Sequence, residues 1–127
     1  MNLTRIQRAE GSITPVYGSL HIPFDIARVY YLYDVPGGAN RGGHAHKALR
    51  QLIVSAMGSF TVVADDGQRK RHFTLSRAYY GIYMPNMIWR ELVDFSSGAI
   101  CLVLASDKYD ESEYIRNYDE FIRLKRL

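Results

Sequence analysis

Turn residues recur so closely between Leu3 and about Leu104 that the runs between them suit strands rather than helices. Residues 26–33 form a run rich in aromatic and branched side chains, closed by Pro36-Gly37-Gly38. Further β-prone runs follow at 41–46, 51–56, 59–64, 71–75, 78–84, 88–93 and 99–105. Met57-Gly58 and Asp65-Asp66-Gly67 have the composition of hairpin turns, and Pro85-Asn86 makes a bend. Helical signal appears only at the end. Residues 110–115 have room for one or two turns, and 119–125 for a short terminal helix carrying Phe121, Ile122 and Leu124. The pattern predicts an all-β fold, a small antiparallel β-barrel or jelly roll with a short C-terminal helix, spanning 1–127 as one domain. No helices separate the strands, which argues against a doubly wound α/β sheet.

Composition narrows the partners. Hydrophobic residues make up 47% and charged residues 23% of the chain, as in an ordinary globular protein. No apolar run approaches a membrane span, and Met1-Asn2-Leu3-Thr4-Arg5 has no signal-peptide core. The lone Cys101 lies in an apolar run and reads as a buried thiol in a reducing compartment, so a cytoplasmic location is expected. The net charge of +3 is mild, and Arg69-Lys70-Arg71-His72 is too short a basic run to imply nucleic acid. A small anionic ligand suits that balance better.

The chemistry concentrates in Arg41-Gly42-Gly43-His44-Ala45-His46-Lys47. In an extended strand the His-X-His spacing puts both imidazoles on one face. Gly42 and Gly43 leave room for a close backbone or ligand, and Arg41 adds a cation suited to carboxylate or phosphate. Three readings compete. Metal-binding cupin barrels resemble the segment, with His-X-His followed by a glutamate and later a third histidine. Here Gly42 stands too close to the pair, Arg50 and Gln51 hold the glutamate positions, and Arg90 stands where the last histidine is expected. Two histidines beside an arginine make a poor metal site. The second reading is acid–base catalysis, since imidazole exchanges protons near neutrality. The third is structural, with both rings satisfied by hydrogen bonds in a packed interior. The pairing, the glycines and Arg41 favour the second.

Other candidates are secondary. Alternation over 26–33 puts Arg28, Tyr30 and Leu32 on one face and Val29, Tyr31 and Tyr33 on the other, without saying which faces inward. Gln51 could point inward beside the histidines and hydrogen-bond a ligand. Trp89 reads as a core anchor, His21 and His72 as exposed, and most of the ten tyrosines as packing.

Together these residues resemble a known family, the cupin-type (WxcM-like) sugar 3,4-ketoisomerases. The resemblance rests on Arg41 to Lys47 with Leu49 and Gln51, then on Asp65-Asp66-Gly67, Asp94-Phe95-Ser96-Ser97 and Val103-Leu104-Ala105-Ser106-Asp107. It continues through Tyr109-Asp110-Glu111 and Tyr114-Ile115-Arg116-Asn117-Tyr118-Asp119, and upstream through Ile22-Pro23-Phe24 and Arg28-Val29-Tyr30-Tyr31. It implies a cupin fold and a cytoplasmic homodimer with strands exchanged between subunits. The implied reaction moves the keto group of dTDP-4-keto-6-deoxyglucose from C4 to C3, with neither metal nor cofactor. The implied setting is deoxysugar biosynthesis for surface polysaccharide such as the O-antigen of lipopolysaccharide, or for a glycosylated metabolite.

The same resemblance implies His46 as principal base, His44 sharing proton transfer or polarising an oxygen, and Tyr30 as a hydroxyl partner. Arg28 and Arg41 would clamp the diphosphate, with Gln51 and Arg90 also contacting substrate; Arg28 and Tyr30 would then face inward. Many relatives have Arg-Gly near the N-terminus and Trp-His-Glu in the late strand, where this chain has Glu10-Gly11 and Trp89-Arg90-Glu91. Arg90 is expected to favour the gluco over the galacto product. The competing functions are a nucleotide-sugar 3,5-epimerase, a metal cupin dioxygenase and a non-catalytic nucleotide-sugar-binding module. Neither a nucleic-acid nor a membrane partner is expected.

Overall fold

A computed structural model describes Met1–Leu127. Its strands are β1 (Ile6–Arg8), β2 (Gly11–Ile13), β3 (Arg28–Leu32), β4 (Arg41–His46), β5 (Gln51–Met57), β6 (Phe60–Asp65), β7 (Lys70–Leu75), β8 (Gly81–Met84), β9 (Trp89–Val93), β10 (Ile100–Ala105) and β11 (Tyr114–Ile115). One helix, α1 (Tyr118–Lys125), ends the chain. The strands form a four-stranded sheet in the order β3-β10-β5-β8, a five-stranded sheet in the order β11-β4-β9-β6-β7, and the separate hairpin β1-β2. Every pairing of named strands is antiparallel. No ladder joins the two large sheets, so the expected barrel or jelly roll takes its two-sheet form and is not closed.

The alternation of side chains explains the packing. Ile53, Met84, Cys101 and Val103 from the first sheet meet Phe60, Val62, Leu75 and Leu92 from the second in one buried cluster. Leu52, Val54 and Leu104 point the other way and are covered by Ile22 and Phe24 of the N-terminal segment. β5 is therefore buried on both faces over residues 51–55, which suits the consecutive apolar residues Leu52, Ile53 and Val54 at its centre. Behind the second sheet, Ala45, Trp89 and Ile115 receive Phe121 from α1, which gives Trp89 its expected anchoring role. Helix α1 starts where Asn117 caps it by accepting the Glu120 N–H at 2.9 Å, with Asp119 and Glu120 in the first turn. Gly58 is required at the β5–β6 turn: its φ is +71°, and a Cβ there would lie 2.9 Å from Ala99 Cα.

Several boundaries differ from the sequence reading. The run expected to begin at 78 starts at Gly81, because Tyr80 N–H donates to Arg77 O at 3.2 Å and closes a turn first. Residues 110–115 make only a 3-10 turn, Glu111–Glu113, before Tyr114–Ile115 extend as β11 against β4. Tertiary bonds override the local helical preference there. Lys47 N–H donates to Glu113 O at 3.0 Å, and the Glu113 carboxylate accepts from Ala48 and Leu49 N–H at 2.8 and 3.0 Å. His21 is half-buried rather than exposed, since its Nδ1 accepts the Tyr17 N–H at 2.8 Å. His72 is exposed and Cys101 is buried, as the sequence predicts.

Candidate active site

A cleft of about 510 Å³ opens between the two sheets where β3, β10 and β5 face β4, β9 and β11. Strand β3 settles its tie here. Arg28, Tyr30 and Leu32 line the cleft, whereas Val29 and Tyr31 are 53% and 58% exposed on the outside. Arg28 lies over the Tyr30 ring at 4.8 Å and the Tyr109 ring at 5.7 Å, and its Nε is buried without a partner.

Strand β4 carries the histidines. Gly42 and Gly43 have φ of +103° and +92°, and the pairing with β9 shifts register between Gly42 and His44. A Cβ on Gly42 would lie 3.2 Å from Glu91 Cα, so the first of the expected glycines serves the approach of β9. The bulge ends before His44, and the two imidazoles share a face edge-to-face, 4.8 Å between centroids. Tyr114 of β11 packs on both, 5.1 Å from His44 and 4.4 Å from His46.

The two rings are not equivalent. His44 lines the cleft, whereas His46 is completely buried behind it and neither of its ring nitrogens has a hydrogen-bond partner. Of the pair expected as principal base (His46) and its partner (His44), only His44 borders the open space. Burial, and then the Arg90 charge, lower the His44 pKa to about 3 and the His46 pKa to about 2. Both imidazoles are neutral at physiological pH, with the lone pair of a ring nitrogen free on each. Arg90 and Arg116 raise the local positive potential felt by both, which opposes a metal cation there as well as an imidazolium.

A polar chain of Arg90, Gln51 and Tyr30 runs along the cleft wall beside His44. Arg90 is 3% exposed, with no carboxylate partner; burial lowers its pKa to about 10, so it stays charged. Its Nη1 donates to Gln51 Oε1 and its Nε to Ile88 O at 3.4 Å, while Nη2 has no partner. Gln51 Nε2 in turn donates to the Tyr30 hydroxyl at 2.9 Å. Burial raises the Tyr30 pKa, and the Arg90 charge and the Gln51 hydrogen bond moderate that rise. Gln51 thus faces the interior as expected.

Arg41 completes the rim of the cleft on its exposed side. Glu10 does not line it, sitting exposed in the turn between β1 and β2. Tyr109, Tyr114 and Arg116, to which the sequence alone gives no role, also line the cleft. Arg116 lies 4.3 Å over the Tyr114 ring and is paired twice with Glu111, at 2.7 and 2.9 Å, and Glu111 also accepts from the Tyr109 hydroxyl. The only signal for these three was their place in the family resemblance, since β11 is two residues long.

The cleft thus joins cations at its rim to neutral proton acceptors and a phenol in its wall. A family model described as FdtA: WxcM-like, C-terminal, matches residues 1–126. A TDP-4-oxo-6-deoxy-alpha-D-glucose-3,4-oxoisomerase from Aneurinibacillus thermoaerophilus is 44% identical over 121 residues, covering 95% of this chain and 87% of the relative. The solved TDP-quinovose 3,4-ketoisomerase WlaRB from Campylobacter jejuni is 43% identical with a TM-score of 0.93, covering 96% of this chain and 94% of that one. A histidine-to-asparagine variant of the 3,4-ketoisomerase QdtA from Thermoanaerobacterium thermosaccharolyticum, solved with TDP-4-keto-6-deoxyglucose, is 38% identical with a TM-score of 0.96. It covers 98% of this chain and 91% of its own.

Proposed function

The chain belongs to the WxcM-like family of sugar-nucleotide 3,4-ketoisomerases, and from that premise we propose that it moves the keto group of dTDP-4-keto-6-deoxyglucose from C4 to C3. The observation that carries the mechanism is a neutral His44 on the cleft wall, backed by His46 and flanked by the Tyr30 hydroxyl and the Arg90 charge. Arg28, Arg41 and the exposed rim hold the diphosphate, leaving the hexose against the histidines.

The C4 carbonyl acidifies the C3–H bond. His44 takes that proton, the C–H electron pair becomes the C3=C4 bond, and the carbonyl pair moves to O4. Tyr30 hydrogen-bonds the charge on O4, and Arg90 stabilises it from behind. Loss of the O3 proton then regenerates a carbonyl at C3 while a proton is added at C4. The proton lost from C3 is balanced by one gained at C4, and the O3 proton by one gained on O4. His46 supports His44 by packing edge-to-face against its ring. No metal or cofactor takes part.

The stereochemical outcome depends on the face protonated at C4. C3–H and the new C4–H lie on opposite faces in the gluco product and on the same face in the galacto product. Arg90 carries no transferable proton near neutrality, and with 43% identity to a TDP-quinovose 3,4-ketoisomerase it favours the gluco product. A galacto-configured amino sugar, seen by NMR after coupling to a 3-aminotransferase, would overturn that part.

A homodimer with exchanged strands and a cytoplasmic location complete the reading. All residues of β1 and β2 are exposed, and β3 is a sheet-edge strand with Val29, Tyr31 and Tyr33 outward, so a second copy has both an arm and a surface to dock on. No helix is long and apolar enough to cross a membrane. Light scattering coupled to size exclusion tests the dimer.

The decisive experiment compares His44→Asn and His46→Asn in deuterium oxide with NMR detection. The expected result is a loss of about 10³-fold in turnover for His44→Asn and a smaller loss for His46→Asn, within the range for a general base, with TDP affinity kept in both. The relative bound to TDP-4-keto-6-deoxyglucose is a histidine-to-asparagine variant, which is in keeping with binding surviving such a change. Deuterium entering at C5 would favour 3,5-epimerisation; binding without turnover would favour a non-catalytic module; loss of activity in chelator would favour a metal cupin.

A further inference from the structure

A buried arginine can only donate hydrogen bonds, and this fixes more than its own position. Because Arg90 donates to Gln51 Oε1, the acceptor end of the Gln51 amide must face Arg90. The donor end is then left for Tyr30, whose phenolic oxygen accepts from Nε2 at 2.9 Å. With its oxygen already accepting from Gln51, Tyr30 must send its own proton elsewhere, and the ring borders the cleft. We infer that Gln51 is a positioning residue: held by Arg90, it sets the direction of the Tyr30 O–H bond so that the hydroxyl donates to the sugar oxygen on which charge develops. The inference rests on the assignment of Tyr30 above and adds the device that aims it.

The choice of an amide at this position is what distinguishes aiming from mere support. A carboxylate at position 51 would be the ordinary companion for a buried guanidinium, and would pair with Arg90 directly. It would also reverse the last bond. A carboxylate accepts only, so it would draw the Tyr30 proton inward and leave the cleft facing a lone pair. Glutamine leaves Arg90 without a counter-charge, yet it keeps both hydrogen bonds running from Arg90 towards the cleft. The uncompensated charge then lies behind O4, where the enediolate forms.

Gln51→Glu therefore separates the two roles, since it keeps the shape and changes the polarity. The expected result is a fall of about 10²-fold in kcat, the scale of one lost oxyanion donor, with KM within about threefold and a Tm no lower than that of the parent. Tyr30→Phe should lose turnover to a similar extent, and the double variant should lose no more than either single one. Wild-type kcat in Gln51→Glu, or losses that multiply in the double variant, overturn the inference. Full turnover in Tyr30→Phe overturns it too, while leaving the ketoisomerase reading intact. If the parent protein does not turn over the 4-keto sugar, that reading fails instead. The relay is then judged by tyrosine 13Cζ NMR, in which Tyr30 should titrate at higher pH in Gln51→Glu; an unchanged titration overturns it.

Discussion

The space between the two sheets has two halves built from the same strands, one apolar and closed, the other polar and open. β3 contributes Arg28 and Tyr30 to the open half and Leu32 to the boundary, where it lines the cleft and packs against the apolar cluster. β5 goes from Gln51 to Ile53, and β9 from Arg90 to Leu92. The halves meet within single rows of the first sheet: Arg28, Ala105, Gln51 and Met84 lie across one row, and Tyr30, Val103, Ile53 and Ile82 across another. In the closed half Phe60 and Phe95 stack at 5.1 Å between centroids, and the buried Ser55 hydroxyl is satisfied by donating to Gly58 O at 2.6 Å. The open half holds the four side-chain atoms that are buried without partners, Arg28 Nε, both His46 nitrogens and Arg90 Nη2. Alternation alone decides which side chains point inward; function lies where those side chains stop being apolar.

The largest effect expected from breaking this division is in the closed half. Phe60→Ala removes a ring that is 1% exposed and should cost about 3–5 kcal/mol of stability in chemical denaturation. Turnover per folded molecule should stay near that of the parent below the melting range. A large fall in kcat without loss of stability would show that the two halves are coupled rather than separate.

Much of this was legible beforehand. Hairpin turns at Gly58 and Gly67 and the inward Gln51 follow from local chemistry, because tight turns and alternation are decided within a few residues. Other features needed the tertiary structure. β11 is two residues long and owes its extended form to bonds from residues 47–49, so its sequence gave no reason to place Tyr114 on the histidines. The order of the two histidines was equally hidden, since both lie on one face and only the depth of the cleft distinguishes them.

A smaller effect is expected in the open half, and of opposite sign. Arg90→Met fills similar volume without burying an uncompensated charge, so stability should be unchanged or raised by about 1–2 kcal/mol. Loss of its pairing leaves Gln51 Oε1 unsatisfied, which limits the gain. Turnover should nevertheless fall about 10²-fold if the charge supports O4. A destabilised Arg90→Met with normal turnover would make Arg90 structural and would remove the sharpest contrast between the halves.

A last effect is a pH dependence that belongs to the open half alone. Both histidines are neutral when folded, with pKa values near 3 for His44 and 2 for His46, against about 6.5 in an unfolded chain. Below pH 6.5 the unfolded chain takes up protons that the folded one refuses, so stability is full above that value and falls as the pH drops towards about 3. The slope is at most about 1.4 kcal/mol per pH unit for each histidine. Between about pH 6.5 and 4.5 unfolded carboxylates are still mostly ionised, so the histidines dominate the change. Urea melts across that window should show stability falling with acid in the parent and falling less steeply in His44→Asn and in His46→Asn. Phe60→Ala should shift the whole curve downward with its slope unaltered. Equal slopes in the parent and both asparagine variants would mean that the imidazoles are protonated in the folded protein after all, and with that the neutral base on the cleft wall would be lost.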